Sequence, residues 1–139
     1  MLTYQIVSSD SPVSIPGHLS RYKCLILIER PVPEARRDEV SRLLVESGCL
    51  YVMVWGLDCS LWDDSIDCAN IQQFEYREIP DAQFVMTTWH EGETIQEVLR
   101  FAKVGAAVSL ASEPLNDLLV LDFSKVNRAP FVKAVYDRA

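Results

Sequence analysis

Along this chain, unbroken apolar runs alternate with segments in which apolar residues return every three or four positions. The first clear run, residues 24–28 (CLILI), is apolar throughout, as expected of a parallel strand covered on both faces. Pro31 and Pro33 punctuate the chain after it. Residues 34–47 carry Val40, Leu43, Leu44 and Ser47 on one stripe, with Arg36, Arg37, Arg42 and Glu46 outside it, and predict an amphipathic helix. Proline and Glu34 at its start suit a helix N-terminus, and Gly48 stands where a left-handed cap would end it. Two residues later, 50–55 (LYVMVW) predicts a second strand.

The polar segment 56–65 (GLDCSLWDDS) interrupts, and a second helix is expected over 66–74 on a thin stripe of Ile66, Ala69 and Phe74. Pro80 and Asp81 mark a turn before 84–89 (FVMTTW), the third strand. Thr94 and Glu97 form a capping box ahead of Ile95, Val98, Leu99, Ala102 and Ala106, with Arg100 and Lys103 toward the far end of this third helix. Residues 108–114 fit neither period. The run 118–123 (LLVLDF) reads as a fourth strand, followed by a short helix from about Pro130. Residues 8–20 read as an extended loop and 4–7 as a further edge strand, so 1–22 is an N-terminal extension of one α/β domain spanning 1–139.

Strands alternating with helices through right-handed crossovers predict an open, mainly parallel four-stranded sheet with helices on both faces, Rossmann- or flavodoxin-like in class. Counting these four strands along the chain, the expected order is 2-1-3-4. A ligand then lies beyond the carboxyl ends of the strands where the winding reverses, between strands one and three.

At 139 residues with 49% apolar content, the chain suits one core. Its longest apolar runs, 49–55 and 24–28, fall far short of the ~20 residues a bilayer span needs. The start, MLTYQIV followed by polar residues, lacks the basic and apolar regions of a secretory signal. Cys24, Cys49, Cys59 and Cys68 form no Cys-x-x-Cys pair and are expected to stay unpaired, which favours a reducing, cytoplasmic setting. The formal net charge of -7 opposes nucleic-acid binding and favours a basic protein partner or a small molecule, although solubility alone accounts for it as well.

The carboxyl edge gathers Glu29 and Arg30 after strand one, residues 55–64 after strand two, Trp89, His90 and Glu91 after strand three, and Asp122 and Ser124 around strand four. Glu29 facing His90 would make an acid–base pair, the carboxylate orienting the ring; the plainer alternative is a salt bridge or a helix cap. Cys59 as a nucleophile with His90 as base needs a stabilised thiolate, which Asp58, Asp63 and Asp64 oppose. Asp58, Asp63, Asp64 and Asp67 are hard-cation ligands in type, yet Asp63 and Asp64 equally suit the start of the following helix and no calcium-loop pattern is present. No metal is expected. Trp55, Trp62 and Trp89 stand at or beyond strand ends, as a pocket floor or as closure of the core. The expected ligand-binding set is Glu29, Asp58, Cys59, Trp62, Trp89, His90 and Glu91. Where a dinucleotide fold places glycines, strand one is followed by ERPVP, and no Gly-x-Ser-x-Gly elbow or His-Glu-x-x-His helix occurs, so no cofactor is expected.

The segments CLYVMVWG (49–56), CSLWDDS (59–65) and FVMTTWHE (84–91) resemble a small bacterial α/β family of unknown function, over roughly residues 22–123. The resemblance implies a bacterial cytoplasmic protein and supplies no activity, cofactor or catalytic residue. Composition and the missing motifs together point to a soluble acidic binding or regulatory module, docking a basic protein partner or a small molecule. The alternative is a small hydrolase or lyase with Glu29, His90 and Cys59 as catalytic candidates.

Overall fold

The computed structural model describes residues 1–8, 11–107 and 114–139. The chain order is β1 (Leu2–Ile6), β2 (Tyr22–Ile28), α1 (Glu34–Glu46), β3 (Cys49–Gly56), α2 (Leu61–Gln73), β4 (Met86–His90), α3 (Ile95–Val104), β5 (Leu118–Phe123) and α4 (Ala129–Arg138), with a short 3₁₀ turn at Asp81–Gln83 before β4. The class is α/β. Among the described residues, five strands lie parallel in one open sheet of order β1-β5-β2-β3-β4.

Burial explains which strands lie inside. Every residue of β2 and β5 is buried, as the continuous apolar runs require when both sheet faces are covered. On one face Cys24, Ile26 and Ile28 pack with Val40 and Leu44 of α1 and Trp62 and Ile66 of α2. On the other, Leu25, Leu27, Leu118 and Val120 pack with Val98, Leu99 and Ala102 of α3 and Val132 of α4. The sheet is therefore the middle of three layers.

The order departs from 2-1-3-4. The strand expected fourth, β5, pairs with β2, while the one expected third, β4, lies at the sheet edge beyond β3. The cause is burial again: β4 reads Met-Thr-Thr-Trp-His and leaves Met86 and Trp89 exposed, so it suits an edge, whereas β5 needs neighbours on both sides. Crossovers through α1 and α2 carry the chain outward from β2 to β4. The α3 crossover then returns over the opposite face to β5. The reversal of winding thus lies between β2 and β5, and the flavodoxin-like placement between strands one and three is corrected.

Several boundaries also move. The second helix begins at Leu61 rather than 66, because Trp62 and Ile66 share a buried stripe and Asp63 and Asp64 occupy its first turn. Phe84 and Val85 precede β4 instead of starting it, and the edge strand expected at 4–7 is present as β1 with its bounds at Leu2–Ile6, paired with β5. Of the expected loop at 8–20, Ser9 and Asp10 lie outside the described residues, and of the ambiguous stretch 108–114 only Pro114 lies within them. The α3 capping box is present as expected, with Glu97 and Thr94 bonded reciprocally. The four cysteines are free.

Candidate functional site at the reversal of the sheet

The reversal point is built by the segments that leave β2 and β5. Glu29 and Arg30 directly follow β2, and the Glu29 amide donates to the carbonyl of Phe123 at 3.2 Å, which ties the two strand ends together. Beyond β5, residues 124–128 lead into α4. The Ser124 hydroxyl donates to the Val126 carbonyl at 3.0 Å, and Asn127 Oδ1 accepts the Ala129 amide at 2.9 Å, so this loop is held by its own side chains.

Asp122 anchors the arrangement. It is fully buried, and a buried carboxylate requires partners. Arg128 supplies a fork, Nε to Oδ2 at 2.8 Å and Nη2 to Oδ1 at 2.9 Å, and the Tyr4 hydroxyl donates to Oδ2 as well. The third arm of the guanidinium, Nη1, donates to Glu29 Oε1 at 2.8 Å. The Arg128 amide in turn donates to the Tyr4 hydroxyl. Bonding to Asp122 pushes the Arg128 guanidinium pKa further up, and burial, reinforced by Asp122, pushes the Tyr4 phenol up to about 12.

Two adjoining cavities open beside this cluster. One, of about 250 Å³, is lined by Glu29, Arg30, Ser124, Lys125, Val126 and Arg128. The other, of about 400 Å³, shares Arg30, Ser124 and Lys125 and adds Ile6, Ser8 and Ser11. Among these described lining residues, Arg30, Lys125 and Arg128 share the lining with the single carboxylate of Glu29, and even with Asp122 behind Arg128 the three cations outnumber the two carboxylates, a local excess of positive charge in a chain of net charge -7. Arg30, which lines both cavities, also donates to the Val7 carbonyl.

Of the expected ligand-binding set, only Glu29 reaches this site. His90 ends β4, two strands away across β3, which is about 10 Å of sheet at ordinary strand spacing. Its ring is buried on the α3 face, 4.8 Å from the Phe101 ring, with Nδ1 2.7 Å from Glu93 Oε2 and Nε2 2.9 Å from Thr88 Oγ1. Both ring nitrogens already have partners. The expected Glu29–His90 pair is therefore not formed; Glu29 bonds Arg128 and His90 bonds Glu93.

Cys59 and Trp62 belong to the core on the α1–α2 face, the opposite side from the His90 ring, and Trp62 lies 6.1 Å from the Phe123 ring. The Cys59 thiol rests against backbone of His90 and Gly56 and near Glu91; burial first, and that carboxylate second, push its pKa up and disfavour a thiolate. Asp58 holds a left-handed turn at φ 53° and is exposed, as is Glu91. Trp89 is exposed on the edge strand, and the Trp55 indole donates to the Glu93 carbonyl at 2.7 Å. Thus the β3 and β4 ends collect Cys59, His90 backbone and Glu91, but the imidazole and the thiol stand on opposite faces. Among the described residues, no group of three or more His, Cys, Asp or Glu side chains is placed to hold a metal ion. Nor is any helix of the described residues long and apolar enough to cross a membrane.

Glu29, Arg30, Asp122 and Ser124 are legible at this edge from the sequence, whereas Arg128, Lys125 and Tyr4 join it only in the folded chain. One signal was available: an aspartate inside the apolar run 118–123 demands a cation or several donors once that run is a buried strand. The partner itself could not be read.

A family model, described as Domain of unknown function (DUF7684), matches residues 2–139. No curated protein and no solved structure matches the chain.

Proposed function

For a chain that belongs to the family Domain of unknown function (DUF7684), whose description names no activity, we propose a binding module that holds a small molecule through a carboxylate or phosphate group at the carboxyl ends of β2 and β5. The observation that carries this reading is the convergence of Arg30, Lys125 and Arg128 on two adjoining cavities at the reversal of the sheet. Open α/β sheets bind ligands at that position, because the crossovers part there and leave a crevice between strand ends. The described lining carries neither imidazole nor thiol, which supports binding rather than acid–base or nucleophilic turnover. A cytoplasmic setting suits the free thiols of this chain.

A basic protein partner is the second reading, supported by Asp63, Asp64 and Asp67 on α2, where burial and the two neighbouring carboxylates raise the Asp67 pKa. The groove of about 660 Å³ between α1 and α2 is mixed in charge, since Arg37 and Arg42 line it beside Asp38, Glu39 and Asp64. Such a contact would weaken as salt is raised.

The first reading is tested by amide NMR titration with citrate and with pyrophosphate at constant ionic strength. Shifts centred on Arg30, Ser124 and Lys125, lost in the Arg30→Gln/Lys125→Gln double variant, are expected. Shifts centred on the α1–α2 groove, or none, would overturn it.

A further inference from the structure

Arg128 divides its hydrogen bonds unequally. Nε and Nη2 go to Asp122, whose side chain is 0% exposed, while Nη1 goes to Glu29, whose side chain is 45% exposed. The two partners therefore differ in how readily they can be replaced. Giving up Asp122 would strand a buried charge; giving up Glu29 returns a carboxylate to water. The Glu29 backbone is fixed by its amide bond to Phe123, whereas its side chain lines the smaller cavity and is already half in water, so releasing it does not require the strand to move.

Resting on the binding reading above, we infer that Glu29 is an internal occupant of the oxyanion position, and that an incoming carboxylate or phosphate binds by displacing it from Arg128 Nη1. The stand-in has the same chemistry as the ligand: one carboxylate oxygen 2.8 Å from the guanidinium, beside Arg30 and Lys125 in the same lining. Occupation by Glu29 lowers the apparent affinity of the site, because each ligand must first break the ion pair and then share the cavity with a like charge. Removing the charge while keeping the side-chain shape should strengthen binding.

The experiment compares wild type, Glu29→Gln and Glu34→Gln, using citrate and pyrophosphate as separate probes at fixed ionic strength and measuring Kd by amide NMR. Glu34 is exposed in the first turn of α1, lines the other groove, and controls for the loss of one negative charge from the whole chain. Glu29→Gln is expected to bind about three- to tenfold more tightly, the scale of one like charge removed at a few ångströms in a partly solvated site. Glu34→Gln should match wild type. The probe with the lower Kd for wild type identifies whether carboxylate or phosphate is the better ligand group. In wild type, the side-chain carboxylate ¹³C signal of Glu29 should move as probe is added, a readout that does not depend on any variant folding. Binding by wild type with no gain in Glu29→Gln, or an equal gain in Glu34→Gln, overturns the displacement and leaves the site standing. No response in any of the three chains overturns the site itself.

Discussion

Arg128 and Asp122, six residues apart, meet at the carboxyl end of β5 through two parallel bonds of 2.8 and 2.9 Å, and this fork fixes the loop that leads into α4. The aspartate is wholly buried, so it cannot be solvated if the arginine is lost. Arg128→Met should therefore destabilise the fold by about 3–5 kcal/mol, the usual consequence of leaving one member of a buried pair alone. Arg128→Lys, which keeps the charge without the planar fork, should fall between Met and wild type. Urea denaturation followed by circular dichroism decides both, and a change within about 0.5 kcal/mol for Arg128→Met would contradict the pairing.

Alkaline pH should weaken the fold through Tyr4. Its phenol ionises near pH 10 in an unfolded chain but is pushed up to about 12 in the fold by burial and by Asp122. The folded state thus keeps a proton that the unfolded state releases. Stability from this group is complete below about pH 10 and is lost as pH rises toward about 12. Tyr22, raised in the same direction by burial and by Cys49 and Cys24, adds to the effect. Tyr4→Phe should cost about 1–2 kcal/mol at neutral pH, through two lost hydrogen bonds, and should flatten the alkaline decline. Denaturation series from pH 8 to 12 test this; an unchanged alkaline slope in the variant would refute it.

His90→Ala should act on stability and not on the oxyanion site. The substitution removes the bond to Glu93, the bond to Thr88 and the face against Phe101, for an expected loss of about 2–3 kcal/mol. Citrate and pyrophosphate affinities, measured where the variant is folded, should stay within about twofold of wild type because β3 separates the two places. A larger drop in affinity would show that His90 takes part in binding.

The thiols should react in the order their burial sets. Cys68 is exposed, whereas Cys24, Cys49 and Cys59 are buried and burial holds their pKa values up, that of Cys49 to about 12. Iodoacetamide at pH 8 should alkylate Cys68 alone in the native protein and all four in urea. Mass spectrometry of peptides reads this directly, and native labelling of Cys59 at the rate of Cys68 would mean that the loop between β3 and α2 opens.

A small backbone feature holds that same loop. Gly56 has φ +105°, and a Cβ placed there would stand 2.0 Å from the Ile28 carbonyl oxygen, against the end of β2. Gly56→Ala should thus destabilise by about 2–4 kcal/mol through strain and backbone displacement, seen as a fall in Tm. A Tm within about 2 °C of wild type would disprove the close approach.

Local pattern alone determined most of the elements. The runs 24–28, 50–55 and 118–123 are strands because a short segment apolar at nearly every position can bury both of its faces only inside a sheet with two covered sides. The residues Thr94 and Glu97 determined the start of α3, because a cap satisfies amides only three residues away. Even the edge position of β4 left a trace in its two threonines. Strand order was not local: it depends on the face taken by each crossover, and the return through α3 is set by the need to cover both sides of β2 and β5 at once. The candidate site follows from that order. Asp122 announced a missing partner, but Tyr4 lies 118 residues before it and Glu29 lies 99 residues before Arg128, so only closure of the sheet brings these charges together. Side-chain preferences act over a few residues, whereas pairing a buried charge is decided wherever packing has excluded water, and that place exists only in the folded chain.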